Sequence, residues 1–417
     1  MVSMSARRCL RRLGVVGVLV LGACASPTAE SEGPSVASEP APSSTELFDI
    51  GEGDPLPFPG YDIDRVTIAP LPQPGAPGAD GQPLTGWAAF DATLAQLVLP
   101  GGSDAVSVAV AIDGDIVHAS AMGARIPDSL VAAEPADKFR IASISKPITA
   151  IVALRLVEEG LIGLDEPVGA IVASAVGVTA PSPGSANITL RQLLTHTSGF
   201  AQYEDLFFRT QVGSCQEAAA VGFTRAVYGA SFRYSNMNYC VLGLLIEQLT
   251  GQPYEAAVYE HLLTPLGISG MRLAPTHVPE PVDGEAVHRS VPGRNYMEVL
   301  GAAGAWVASP SDLVTIFDSL DLATPGWKPL GAETLAQMRT SVTNPGSPDR
   351  GYAMGLILYG GGAAGHTGTI ESTHAMVLDR PDNVTWAVTV SGQNPSETVR
   401  LLGMVDQALA AGGFISG

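Results

Sequence analysis

Lysine is almost missing from this chain: there are three in 417 residues, Lys138, Lys146 and Lys328. Charged residues of every kind reach only 15%, and the formal net charge is −19. A surface that binds nucleic acid has to neutralise phosphates with a dense basic face, so nucleic acid is excluded as a partner. Metal-ligand spacing is absent as well. The histidines His118, His196, His261, His277, His288 and His374 stand alone, without the paired partners that a zinc or iron site requires, and no metal is expected. No internal repeat is present. The apolar run over residues 13–21 is too short to span a bilayer as a mature helix. What remains is a chain with 46% apolar residues, enough to bury a large core in one or two interleaved domains.

Cysteine is scarce too, with four in all. Arg7, Arg8, Arg11 and Arg12 precede the short apolar run, as in an export signal. Leu21-Gly22-Ala23-Cys24 resembles a bacterial lipobox, in which the cysteine is lipidated and becomes the first mature residue. The expectation is a lipoprotein signal peptide over residues 1–23 and lipidation at Cys24. The protein would then sit on the outer face of the bacterial cell membrane through its lipid anchor. The alternative is an ordinary signal peptide with a chance cysteine. Residues 24–85, rich in Pro, Ser, Gly, Ala and acids, bury little and read as a disordered tether, with a short strand over residues 62–68. Cys9 leaves with the signal, so Cys215 and Cys240 remain in a compartment that permits disulfides. They form either one bridge or two buried thiols.

The folded domain is expected over residues 86–417. Trp87, Phe90, Leu94, Leu97 and Val98 have amphipathic helical spacing. Residues 106–112 and 116–122 read as strands around an Asp113-Gly114-Asp115 turn. Residues 354–359, 368–378 and 384–390 read as three more strands. The middle is helical: residues 144–159, ending at Gly160; a capping box at Thr189 and Gln192; a buried helix over 239–249, ending at Gly251; Pro253 opening the next helix; and another from Ser311-Asp312. Strands at both ends around a helical middle give an α/β fold: an antiparallel sheet flanked by helices with an inserted all-helical region.

Three motifs carry chemistry. In Ser143-Ile144-Ser145-Lys146, residues three apart share a helix face, which sets Ser143 beside Lys146 at a helix N-terminus. A serine hydroxyl needs a base, and lysine can act as one only if burial or nearby cations lower its pKa. In Tyr234-Ser235-Asn236, a tyrosine close to a lysine ammonium is pushed toward phenolate, and Asn236 offers a donor and an acceptor to a substrate amide. In Gly365-His366-Thr367-Gly368-Thr369, a glycine-bearing strand edge admits a substrate backbone. Trp306 lines the cleft or, more simply, fills the core.

In this order, Ser-x-x-Lys, Tyr-x-Asn and His-Thr-Gly resemble the serine penicillin-recognising enzymes. The surrounding text, Leu193-Leu-Thr-His-Thr-Ser-Gly199 included, is similar to their class C β-lactamase, D-alanyl-D-alanine carboxypeptidase, D-aminopeptidase and esterase branch. The resemblance implies a β-lactamase/transpeptidase-like fold, an acyl-enzyme on serine and no cofactor. It makes Ser143 the nucleophile and Lys146 and Tyr234 the proton carriers, in an order the sequence leaves open. Asn236, His366, Thr367, Gly368 and Thr369 then bind substrate, with the Ser143 and Thr369 amides as the oxyanion hole. The substrate is a small molecule or a peptidoglycan-derived peptide or ester, with β-lactams as inhibitors or substrates. The alternatives are a class C-type β-lactamase and a non-catalytic penicillin-recognising binding protein. Two departures matter. Histidine stands at 366, where class C β-lactamases typically carry lysine, and residues 351–378 contain no Lys or Arg. A substrate carboxylate would fall to Arg350, His366, the two threonines or an arginine from elsewhere, which favours an esterase or amidase.

Overall fold

A computed structural model describes residues 84–227, 229–344 and 346–415. The expected signal peptide, the Cys24 lipidation site, the strand over 62–68 and nearly all of the tether lie outside the described residues. Seven antiparallel strands build the main sheet: β1 (Ser103–Ile112), β2 (Asp115–Gly123), β6 (Arg350–Tyr352), β7 (Ile357–Gly360), β8 (Ala363–Ile370), β9 (Thr373–Asp379) and β10 (Val384–Gly392), in the order β2-β1-β10-β9-β8-β7-β6. A small sheet joins β3 (Phe139–Arg140), β5 (Trp306–Ala308) and β4 (Arg272–Leu273) in that order.

Strand alternation sorts the side chains by size. Val106, Val108, Val110, Met376, Leu378, Trp386 and Val388 pack under the terminal helices Gly86–Val98 and Arg400–Gly412. Ala109, Ala111, Ala375, Val377 and Ala387 face the helical middle of the chain. Register aligns Val108 with Val388 and Val388 with Met376, giving a continuous apolar row across three strands. Burying each such side chain contributes about 1.5–3 kcal/mol. Small residues on the other face let the helix Pro310–Asp318 approach β1, β9 and β10 closely.

Two helix ends fall where the capping signals placed them, and two are shifted by one residue. Thr189 and Gln192 form the capping box of the helix Leu190–Leu194, and Gly251 closes the helix Asn236–Thr250 in the left-handed region. Pro253 is the N-cap rather than the first helical residue of Tyr254–Val258. The helix expected from Ser311-Asp312 starts at Pro310, with Ser309 as cap. Two strand expectations are corrected. Residues 368–378 are not one strand but β8, a turn at Glu371-Ser372, and β9, because Ser372 adopts φ +50°. Residues 354–359 are not continuous either. Gly355 turns the chain at φ +76°, and a Cβ there would lie 2.6 Å from that of Ala150. Cys215 and Cys240 form a disulfide, with 5.6 Å between their Cα atoms. Trp306 belongs to the core: its Nε1 donates to Tyr254 Oη at 3.0 Å.

One buried group makes stability depend on pH. Asp406 is 8% exposed, and neither carboxylate oxygen has a hydrogen-bond partner among the described residues. Arg380 Nη1 comes only within 4.0 Å, while its Nη2 pairs with Asp382 at 2.6 Å. Burial therefore pushes the Asp406 carboxyl up to about 7. The folded state then keeps a proton that the unfolded state has released, so stability is lost as pH rises from roughly 4 toward 7. Asp406→Asn is expected to stabilise the protein by about 1–3 kcal/mol at pH 8 and by little at pH 4. Thermal melts at both values check this, and an equal shift at both would refute it.

Candidate active site

The Ser143 turn is held from two sides. Phe139 and Arg140 pair with Ala308 and Val307 in the small sheet, and Ile141 N donates to Trp306 O at 3.2 Å. Ala142 then adopts φ +45°, a conformation costly for a residue with a Cβ. The chain continues through the 3₁₀ turn Ala142–Ile144 into the helix Ser145–Glu158. Pro147 falls in the first turn of that helix, where its missing N–H does no harm. Strand β8 lies against the turn because Gly368 has no side chain: a Cβ there would sit 2.1 Å from the Ile141 carbonyl oxygen.

Ser143 is partly exposed, whereas Ser145 is fully buried and its Oγ accepts from Trp306 N at 3.3 Å. Lys146 Nζ lies 3.0 Å from Ser143 Oγ, 2.8 Å from Asn236 Oδ1 and 2.9 Å from the Ala303 carbonyl oxygen. Burial lowers the Lys146 pKa well below its ordinary value. The Tyr234 hydroxyl is hydrogen-bonded to that of Ser143, and its ring centre lies 4.8 Å from Lys146 Nζ. Burial raises the Tyr234 pKa, and the Ser143 hydrogen bond only partly opposes it. The expectation of a tyrosine pushed toward phenolate is thus corrected: burial of the hydroxyl disfavours the phenolate and outweighs the Ser143 hydrogen bond.

His366 is 1% exposed and lies beneath the site rather than on its wall. Its Nδ1 meets the Thr367 carbonyl oxygen at 2.6 Å, and its Nε2 lies 3.4 Å from Tyr352 Oη. Burial, then the charge of Lys146, lowers its pKa to about 3, with the Thr367 carbonyl opposing. Thr367 is partly exposed and Thr369 exposed, and Thr369 Oγ1 shares a hydrogen bond with Thr398 Oγ1. Ser143, Lys146, Tyr234 and Asn236 are thus brought together, with Gly368 beside the Ser143 turn, while Thr367 and Thr369 are the exposed members of β8.

Sequence reasoning missed three groups. The Ala303 carbonyl carries no signal in its side chain. His196, set aside with the other lone histidines, adopts φ +56°, and its ring centre lies only 4.4 Å from that of Tyr234. Tyr352 falls just before the strand expected over residues 354–359 and belongs to no motif. Burial, then the charges of Lys146 and His366, holds the His196 pKa well below its ordinary value. Among the described residues, no carboxylate bonds to Lys146, His196 or His366.

An acid-free serine–lysine–tyrosine cluster, its lysine fully buried, between an antiparallel sheet and a helical region defines a class of serine hydrolase folds. The beta-lactamase family model matches residues 90–410, and the chain belongs to that family. Penicillin-binding protein 4 of Amycolatopsis lactamdurans is 29% identical over 187 residues, covering 43% of this chain and 46% of that protein. The chain spans less than half the length of the first curated relatives it matches. Among solved structures, SurE with D-Leu is 25% identical at a TM-score of 0.61, covering 77% of this chain and 76% of its own. The D-amino acid amidase of Ochrobactrum anthropi SV3, complexed with L-phenylalanine amide, superposes at a TM-score of 0.62. It is 23% identical, covers 78% of this chain and 97% of its own, and speaks for the fold alone.

Proposed function

We propose that the protein hydrolyses neutral amides or esters, envelope peptides among them, through an acyl-enzyme on Ser143. The observation that carries this reading is the set of partners around Lys146. A neutral amine has two N–H donors and one lone pair. In that form the Asn236 and Ala303 oxygens, at 2.8 and 2.9 Å, would take both donors and leave the lone pair for the Ser143 hydroxyl at 3.0 Å. Lys146 takes the hydroxyl proton as Oγ attacks the substrate carbonyl. The amides of Ser143 and Thr369 stabilise the oxyanion. Tyr234, protonated at rest, gives its proton to the leaving group and regains one from Lys146. Water then attacks the acyl-enzyme by the reverse route, restoring the resting site.

A neutral substrate follows from the same chemistry. Burial lowers the pKa of Lys146, His196 and His366, which disfavours a cation at any of them for a carboxylate beside the scissile bond. The name of one structural neighbour, SurE with D-Leu, points toward a D-amino acid residue in the substrate. The experiment is a panel of a D-phenylalanine amide, a p-nitrophenyl butyrate ester and a chromogenic cephalosporin, with fluorophosphonate labelling mapped by mass spectrometry. Label on Ser143 and faster turnover of ester or amide than of cephalosporin are expected. Cephalosporin as the fastest substrate would overturn the neutral-substrate reading.

We further propose that Cys24 is lipidated and anchors the protein to the outer face of the cell membrane. Two lines of sequence support this: the basic residues before the apolar run, and Leu21-Gly22-Ala23-Cys24. Cys24→Ala is expected to move the protein from the membrane pellet to the soluble fraction of its native host. Continued sedimentation with the membrane would rule the anchor out.

A further inference from the structure

The groups beneath the catalytic cluster form a hydrogen-bond chain whose two ends are backbone atoms with fixed roles. At one end, Ser235 N–H donates to His196 Nδ1 at 3.2 Å, and Asn238 Nδ2 donates to the same nitrogen at 2.8 Å. The amide of Asn238 is oriented for this, since its Oδ1 accepts from Ser198 Oγ at 2.5 Å. A backbone N–H only donates, so His196 Nδ1 carries a lone pair and its proton lies on Nε2. That Nε2–H donates to Tyr352 Oη at 3.2 Å. At the other end, the Thr367 carbonyl only accepts, at 2.6 Å, so His366 carries its proton on Nδ1 and a lone pair on Nε2. Tyr352 stands between them, 3.4 Å from His366 Nε2 and also in hydrogen-bond contact with Tyr239. The Tyr239 proton is directed to the Leu194 carbonyl at 2.9 Å, so both neighbours present acceptors to the single Tyr352 proton.

We infer that Tyr352 and His196 are positioning residues, which lock His366 in its Nδ1–H form so that it ties down the Thr367 carbonyl and fixes the edge of β8 across from Ser143. This inference rests on the proposed hydrolytic function of that site. His366 is then a brace under the strand rather than a group that touches substrate. Both imidazoles have their roles set by backbone atoms, so neither shuttles protons during turnover. The charged or titratable groups that face this chain are Lys146, Tyr234 and Tyr239. None is a carboxylate that would favour an imidazolium, and both imidazoles stay neutral through the working pH range.

Two measurements on the full-length protein separate this inference from the hydrolase reading. Long-range ¹H–¹⁵N imidazole spectra of the catalytically silent Ser143→Ala variant need no turnover. They are expected to show His196 only as the Nε2–H form and His366 only as the Nδ1–H form, with no titration between pH 5 and 9. On the active enzyme, Tyr352→Phe keeps the ring and removes the hydroxyl. It is expected to lower kcat roughly three- to ten-fold, the effect of one hydrogen bond, with KM little changed. The His366 signals should shift toward a tautomer mixture or a titrating ring. The inference is overturned if His366 titrates near neutrality in the Ser143→Ala protein, or if either ring shows the opposite tautomer. It is also overturned if Tyr352→Phe raises KM at unchanged kcat, which would place His366 in direct contact with substrate.

Discussion

Ser143→Ala is expected to lower kcat/KM for ester or amide substrates by roughly 10⁴- to 10⁶-fold, the usual cost of deleting a nucleophile that works as a unit with its base. Covalent labelling by a fluorophosphonate should disappear with it. The fold should survive, because Ser143 is partly exposed and its hydroxyl bonds only within the catalytic cluster. Ser145→Ala is the sharper control. Ser145 is the serine nearer to Lys146 in sequence, but its hydroxyl is buried and accepts from the Trp306 amide at 3.3 Å. Losing that single hydrogen bond should change activity by about ten-fold or less. An active, labelled Ser143→Ala enzyme would refute the assignment, and so would a Ser145→Ala variant that alone loses labelling while remaining folded.

The readable part of this site was the part encoded by local spacing. Ser143 and Lys146 are one helical turn apart, so their contact follows from helix geometry once the helix is placed. Tyr234 and Asn236 were legible as a motif, but not in their roles. Asn236 meets Lys146 directly, at 2.8 Å, and burial holds Tyr234 toward its protonated form. Both facts depend on how dry the site is, which the sequence does not state. The Ala303 carbonyl, His196 and Tyr352 come from segments more than 40 residues from Lys146, brought there by packing.

The sheet shows the same division. Strand β1 and the helix Gly86–Val98 lie where periodicity placed them. The break between β8 and β9 was not visible because its turn lacks glycine and proline. Glu371-Ser372 holds its shape through tertiary bonds: Gln393 Nε2 donates to Ser372 Oγ at 2.8 Å, and the Ser372 carbonyl meets His288 Nδ1 at 2.9 Å. One consequence reaches the site. With β8 a separate strand, His366 and Gly368 share the face turned into the protein, and Thr367 and Thr369 share the more exposed one. That alternation makes histidine a support and the threonines the surface.

Lys146→Met should separate catalysis from stability through pH. Activity is expected to fall roughly 10²- to 10⁴-fold, the usual contribution of a positioned general base. In the wild type, burial holds the folded Lys146 pKa well below its ordinary 10.5. Between the folded and unfolded values, the unfolded chain binds a proton that the folded chain does not. The lysine therefore lowers folded stability progressively as pH drops through this window, by about 1.4 kcal/mol per pH unit at most. The K146M variant has no such group. Its stability relative to wild type should accordingly improve as pH falls from 10 to 7, whatever the fixed cost of leaving the Asn236 and Ala303 oxygens unpaired. Urea unfolding of both proteins at the two pH values gives the difference directly. The wild-type pH–rate profile should rise with pH through the folded Lys146 pKa, since only the neutral amine can take the Ser143 proton. A stability difference that does not change with pH would mean that Lys146 stays charged in the folded protein, and the base would then have to be sought elsewhere.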